Sequence, residues 1–261
     1  MRCIVLGSGS RGNATLIEAG STRVLVDNGF SAKELLARLQ RVAIEPESIT
    51  ALLLTHEHND HVAGAGALAR RLRLPVYGNV PTLRAAEAKL GKVPELHEFN
   101  TGDSFAVEGV EIHAFSVSHD TADPVGFTVS DGRQCIGYCT DTGTVTRLLR
   151  HTLSACQGLV LEANHDVDML RDGPYPLALQ QRVLSSQGHL SNERALQLVA
   201  ELAQEGLRKL VLAHLSEINN APELVQREIA RRSAVLAGLE IRLASQHRPA
   251  PVLDLDAGEG G

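Results

Sequence analysis

Six apolar runs of this chain stop just short of a histidine or an aspartate. Val24–Val26 precede Asp27, Ile49–Leu54 precede His56, and Ile112–Val117 precede His119. Ile136–Cys139 precede Asp141, Leu159–Leu161 precede His165, and Leu210–Ala213 precede His214. Residues so far apart in sequence share one pocket only if the runs are strands whose ends gather at one edge of a sheet. One run leads into Thr55-His56-Glu57-His58-Asn59-Asp60-His61. Imidazole nitrogen and carboxylate oxygen are the ligands of a borderline divalent ion, and a single ion cannot use all four candidates. His56 and His58 point the same way from an extended backbone, whereas Asp60 and His61 lie past the bend. Two adjacent sites follow, one on His56/His58 and one on Asp60/His61.

The remaining pattern is α+β. Besides the six runs, Cys3–Leu6, Ala14–Ile17 and Val125–Val129 read as strands, and the fourth and fifth runs extend over Gln134–Cys139 and Leu159–Glu162. Helical periodicity covers Ser31–Arg41, where Ser31 and Glu34 form a capping box. It recurs at His61–Leu72, Pro81–Leu90, Thr144–Leu153, Pro176–Ser185, Ser191–Glu205 and Pro222–Leu236. Sheets inside and helices outside follow from this order, as one domain over residues 1–255 with a frayed, Gly- and acid-rich tail at 256–261. Net charge −6 argues against a broad basic footprint for nucleic acid, although bound metals can supply positive charge locally. A leader segment and a membrane span are not expected, which points to the cytoplasm. Cys3, Cys135, Cys139 and Cys156 lack CxxC spacing and read as free thiols.

His-x-His-x-Asp-His followed in order by His119, Asp141 and His214, each at a strand end, resembles the metallo-β-lactamase fold, an αββα sandwich of two packed mixed sheets flanked by helices. The resemblance implies a first metal on His56, His58 and His119, a second on Asp60, His61 and His214, and Asp141 bridging them. It implies that Asp27 orients the ligand loop. Redox members of the fold carry Glu where His58 stands, so the resemblance implies a hydrolytic zinc-type site, with Zn²⁺ first and Mn²⁺ also accommodated.

Within that fold, seven segments resemble the YycJ/WalJ-type group: Gly7–Asn13, Thr55–His61, Ser118–Phe127, Thr140–Gly143, Leu161–Asp166, Gly173–Pro176 and Gly188–Glu193. That group is regarded as DNA-cleaving, with exonuclease activity. Two ions sharing Asp141 would share a water, lower its pKa from 15.7 towards about 7 and make hydroxide the nucleophile, with Asp60 relaying the proton. His189 either contacts the scissile phosphate and protonates the leaving oxygen, or caps its helix, or bonds Asp166. His165 either touches phosphate or holds His189. Arg182 would pair with a phosphate oxygen, unless it is an ordinary exposed helical arginine. Ser8 and Asn13 belong to a Gly-rich loop that either offers amides to phosphate or forms a tight hairpin.

The expected function is a dinuclear phosphodiesterase acting on nucleic acid, a DNA exonuclease gripping phosphate and sugar. A small-molecule hydrolase for a cyclic phosphodiester or a thioester is the alternative. Apolar strands and helix faces also allow a homodimer.

Overall fold

Two seven-stranded mixed sheets stack face to face in the computed structural model, which describes residues 1–257. The strands are β1 (Arg2–Gly7), β2 (Ala14–Ala19), β3 (Thr22–Val26), β4 (Ala51–Leu53), β5 (Pro75–Asn79), β6 (Glu95–Phe99) and β7 (Ser104–Val107). They continue as β8 (Val110–Ser116), β9 (Val125–Ser130), β10 (Cys135–Cys139), β11 (Gly158–Glu162), β12 (Lys209–Ala213), β13 (Glu240–Leu243) and β14 (Leu253–Asp254). One sheet runs β14-β1-β2-β3-β4-β5-β6 and the other β13-β12-β11-β10-β9-β8-β7. Each is antiparallel on one side and parallel on the other, with β3 to β6 and β10 to β13 as the parallel sets.

Parallel neighbours need crossovers, and these supply the helices. They are α1 (Ala32–Arg41), α2 (Asn59–Val62), α3 (Ala65–Leu72), α4 (Val80–Leu90) and α5 (Arg147–Leu153), then α6 (Val167–Asp172), α7 (Leu177–Leu184), α8 (Asn192–Ala203), α9 (Pro222–Arg231) and α10 (Ser233–Leu236). Strand alternation sorts the core into three layers. Val5, Val26, Leu53, Phe127, Val160 and Val211 meet between the sheets. Ile4, Leu25 and Leu52 face outward under Leu35, Leu68 and Leu90 of α1, α3 and α4. Leu159, Leu161 and Leu212 face outward under Leu149, Leu196 and Val225 of α5, α8 and α9. Each fully buried leucine stabilises this arrangement by about 1.5–3 kcal/mol.

Every run read as a strand overlaps one, though Ile49–Leu54 is strand only over Ala51–Leu53. Five strands were not legible: β5 contains Pro75 and Gly78, and β6, β7, β13 and β14 are the four sheet edges. Edge strands are partly solvated and lose the apolar signal. Two helix readings need correction. Pro222–Leu236 divides at Arg232 into α9 and α10. His61–Leu72 is two helices, because Gly64 presses on the loop after β3: a Cβ there would lie 1.7 Å from the Phe30 carbonyl oxygen. α6 is a further short helix, capped by Asp166 accepting from Met169 N–H at 2.9 Å. The capping box of α1 forms by half, since Ser31 accepts from Glu34 N–H while the Glu34 carboxylate pairs with Arg38. Residues 258–261 of the expected tail lie outside the described residues; Asp256 accepts from the Met1 ammonium at 2.6 Å. All four cysteines are free, with Cys135 and Cys156 sulfurs 3.5 Å apart. Among the described residues, no helix is long and apolar enough to cross a membrane.

Gly64→Ala is expected to lower the urea midpoint at unchanged slope, a loss of about 1–3 kcal/mol from overpacking against fixed backbone. An unchanged midpoint would show that the Phe30 loop yields freely.

Candidate metal centre

Strand ends deliver the site. Asp27 follows β3, Asp141 follows β10 and His214 follows β12, at φ 60°, 57° and 54°. Left-handed backbone is uncommon away from glycine, and these three are half of the six non-glycine cases among the described residues. Each costs of order 1–3 kcal/mol that the surrounding packing must hold. His56 and His58 follow β4, and His119 follows β8. Asp60 and His61 sit in α2.

The imidazoles are oriented one by one through Nδ1. Thr55 Oγ1 donates to Asp27 at 2.8 Å, so its lone pair accepts Nδ1–H of His56 at 2.9 Å. His61 Nδ1–H donates to Asp27 at 2.7 Å. His119 Nδ1–H donates to the carbonyls of Gln187 and Gly188, both at 3.1 Å. His214 Nδ1–H donates to Glu162 at 3.1 Å. Each bond turns Nε2 toward the centre, where a metal would take its lone pair. Burial lowers His61 and His214, but the Asp141 carboxylate beside them outweighs it and raises both, so a metal would displace a proton from each. His58 approaches through Nδ1, 3.2 Å from His119 Nε2.

The structure thereby gathers the expected triads: donor atoms of His56, His58 and His119 lie within 4.8 Å of one another, as do those of Asp60, His61 and His214. Asp141 lies between them, with Oδ2 3.3 Å from His61 Nε2, and Oδ1 3.8 Å from His119 and 3.6 Å from His214. Two buried atoms, His56 Nε2 and Asp141 Oδ2, have no hydrogen-bond partner. Leaving such groups unsatisfied costs about 1–3 kcal/mol each, and a divalent cation satisfies both. These residues therefore fit the metals that the motif implies. Burial, with His61 beside it, pushes His56 well below the usual imidazole range and keeps it neutral. Burial raises the Asp60 and Asp141 carboxyls, but His61 and His214 next to each outweigh it and hold both ionised.

Ser8 and Asn13 need correction: both are buried behind the histidines. The Ser8 hydroxyl donates to Asn13 and accepts His214 N–H, both at 2.9 Å. Asn13 donates to the Asp60 carboxylate at 3.2 Å, and its backbone N–H to the Asp60 carbonyl at 2.7 Å. With their groups so engaged, the Gly-rich loop braces the ligands rather than offering itself to phosphate. Arg182 is exposed, its guanidinium already paired with Asp120 at the rim. His165 is buried and pushed down to about 4 by burial, which keeps it neutral. Its carbonyl accepts Asn192 N–H at 2.9 Å, so it anchors the start of α8.

His189 lies at the centre, its ring 5.3 Å from that of His214 and 5.0 Å from that of His119. It neither caps α8, which Ser191 does, nor bonds Asp166. Its Nδ1 bonds Glu162 at 2.7 Å. Glu162 carries the residue role that sequence reasoning missed. It ends β11 fully buried, accepts from His189, His214 and Leu190 N–H, and faces the amides of Asp141 and Thr142 at 3.3 Å. Burial pushes its carboxyl up, but the charge and hydrogen bond of His189 bring it down to about 2. A lone acid inside an apolar run was the available signal.

Residues 22–215 match the family described as "Beta-lactamase superfamily domain". The chain belongs to that superfamily. It is 36% identical over 229 residues to a protein named exodeoxyribonuclease YycJ from Bacillus anthracis, covering 87% of each chain. It is also 36% identical over 234 residues to one named exodeoxyribonuclease WalJ from Streptococcus pneumoniae, covering 88% of this chain and 87% of that one. The metallo-beta-lactamase fold protein YhfI from Bacillus subtilis superposes with a TM-score of 0.71 over 97% of this chain and 100% of its own, at 18% identity. The metallo-β-lactamase fold is thus the fold of this superfamily member.

Asp27→Asn and Glu162→Gln remove the charges that orient His61 and His214, and each is expected to weaken metal binding about 10–100-fold. Titration against a chromophoric chelator measures this, and wild-type affinity in both variants would show that the two acids do not set the ligands.

Proposed function

We propose that this protein is a metal-dependent nuclease, and within that class a DNA exonuclease working with two divalent ions, Zn²⁺ before Mn²⁺. The position of Asp141 between two donor triads is the observation that carries the reading, together with the kinship to two exodeoxyribonucleases. His56, His58 and His119 would hold one ion, Asp60, His61 and His214 the other, and Asp141 both. Ions bound there would supply an acidified water as nucleophile and charge to stabilise the pentacovalent phosphorus.

The chain's own groups do the rest. Asp60 has a carboxylate oxygen 3.4 Å from both His61 and His214, so an ionised acceptor faces the same centre and would take the proton of the attacking water. His189 is fixed by Glu162 through Nδ1, so Nε2 remains to meet the phosphate and protonate the leaving oxygen. Arg182 and Asp120 at the rim would change partners on meeting a phosphate, since a guanidinium binds either oxyanion bidentately.

The test uses end-labelled single- and double-stranded DNA, matching RNA, and a small phosphodiester, with Zn²⁺ or Mn²⁺ and bound metal quantified. Progressive shortening of DNA is expected, reduced at least 100-fold by Asp60→Ala and by His189→Ala, in line with the loss of a proton-transfer group. Protein holding two ions per chain that leaves DNA intact but cleaves the small ester would replace this reading with the small-molecule hydrolase.

A further inference from the structure

A cavity of about 900 Å³ lies against the segment that carries His214, on the side of the bracing loop, and is used by none of the chemistry above. It begins at Ser8, whose hydroxyl accepts His214 N–H at 2.9 Å, and at Leu215, the residue after His214. From there it follows the segment that joins β13 to β14 along the open edge of the sandwich and reaches Arg41 and Val42 at the end of α1. Ala250 N–H, bonded to Val5 O at 2.8 Å, fixes that segment against β1.

Its walls have a specific chemistry. Val42, Leu215, Pro249 and Pro251 line an apolar stretch. Arg41 and Arg248 line it too, exposed and without a carboxylate partner among the described residues. Glu217 is the one acid of the lining, and it is already engaged by Arg11 at 3.3 Å and His247 at 2.6 Å. On a chain with net charge −6, this groove is a local positive strip with an apolar wall.

We infer that the groove holds the unpaired strand of a nucleic acid substrate as it runs away from the metal centre. Phosphates meet Arg41 and Arg248, and sugars and unstacked bases lie against the prolines and Leu215. Charge draws a polyanion here on a surface that otherwise repels it. The apolar wall selects a single strand, because a duplex hides its base faces in the stack. This inference rests on the nuclease reading and extends it to the form of the substrate.

The test compares metal-loaded wild type with Arg41→Ala/Arg248→Ala and with Arg41→Lys/Arg248→Lys. The probes are a 20-nucleotide single strand, a 4-nucleotide single strand, a 20-base-pair duplex and a small phosphodiester. The double alanine variant should bind the 20-mer about tenfold more weakly, with a shallower salt dependence by roughly two phosphate contacts. The lysine variant should keep both, and turnover of the small ester should not change. Equal binding of the 20-mer by the alanine variant and wild type overturns the groove, as does wild-type preference for the duplex. So does a shift from dimer to monomer in the alanine variant by sedimentation, which would assign the face to a second copy of the chain. Tight, Arg41- and Arg248-dependent binding without cleavage would overturn the nuclease reading and leave the groove standing. Cleavage with Arg-independent binding would do the reverse.

Discussion

Behind the ligands each sheet buries an acid at a strand end, Asp27 in one and Glu162 in the other, and four imidazoles of the site are oriented by these two carboxylates. Asp27, at the end of β3, takes Thr55 N–H, Thr55 Oγ1–H and His61 Nδ1–H. Through the threonine it also sets the ring of His56. Glu162, at the end of β11, takes His214, His189 and Leu190 N–H. An ionised group removed from water is tolerated only with a full set of donors. These two acids therefore fix the directions of His56, His61, His189 and His214, and turn the Nε2 of each toward a common centre.

That arrangement depends on backbone that a free chain would avoid. Asp27, Asp141 and His214 all turn left-handed as their strands end. The strain is held by packing on both sides of each sheet, where β3, β11 and β12 are buried except at Arg23 and Lys209. The close approach of Gly29 to the ligand loop serves the same end, for a Cβ there would lie 1.9 Å from the Asp60 carbonyl oxygen. The Gly-rich loop between β1 and β2 completes the bracing through Asn13 and Ser8. Rigidity behind the ligands and an open side in front are what a hydrolytic centre needs: fixed charges that do not reorganise as the reaction proceeds.

Much of this was legible because ligand chemistry leaves a dense local mark. His56, His58, Asp60 and His61 fall within one short run, and His119, Asp141 and His214 each follow an apolar strand. Asp27 was legible for the same reason. Glu162 was not, because an acid closing an apolar run signals only that some partner must meet it; the parallel pairing of β10, β11 and β12 is what puts it next to His214. For Ser8 and Asn13 the sequence left phosphate contact and a tight hairpin equally open, since a loop's composition does not tell which way its polar groups face. The broken helix after His61 was hidden likewise, because its cause is a contact between Gly64 and a loop 34 residues earlier.

By itself, then, the sequence determined the donor types, the split of one short run into His56/His58 and Asp60/His61, and the strand-rich core, since these depend on residue identity and on period-two burial; the full triads and the superfamily came from resemblance to a known fold. Tertiary structure decided which side chains orient the donors, which atom of each imidazole faces the centre, and that a positive, apolar-walled groove runs along the sandwich edge next to the His214 segment. Those are properties of distances between residues remote in sequence. The pairing of strands sets them, and no local pattern encodes them.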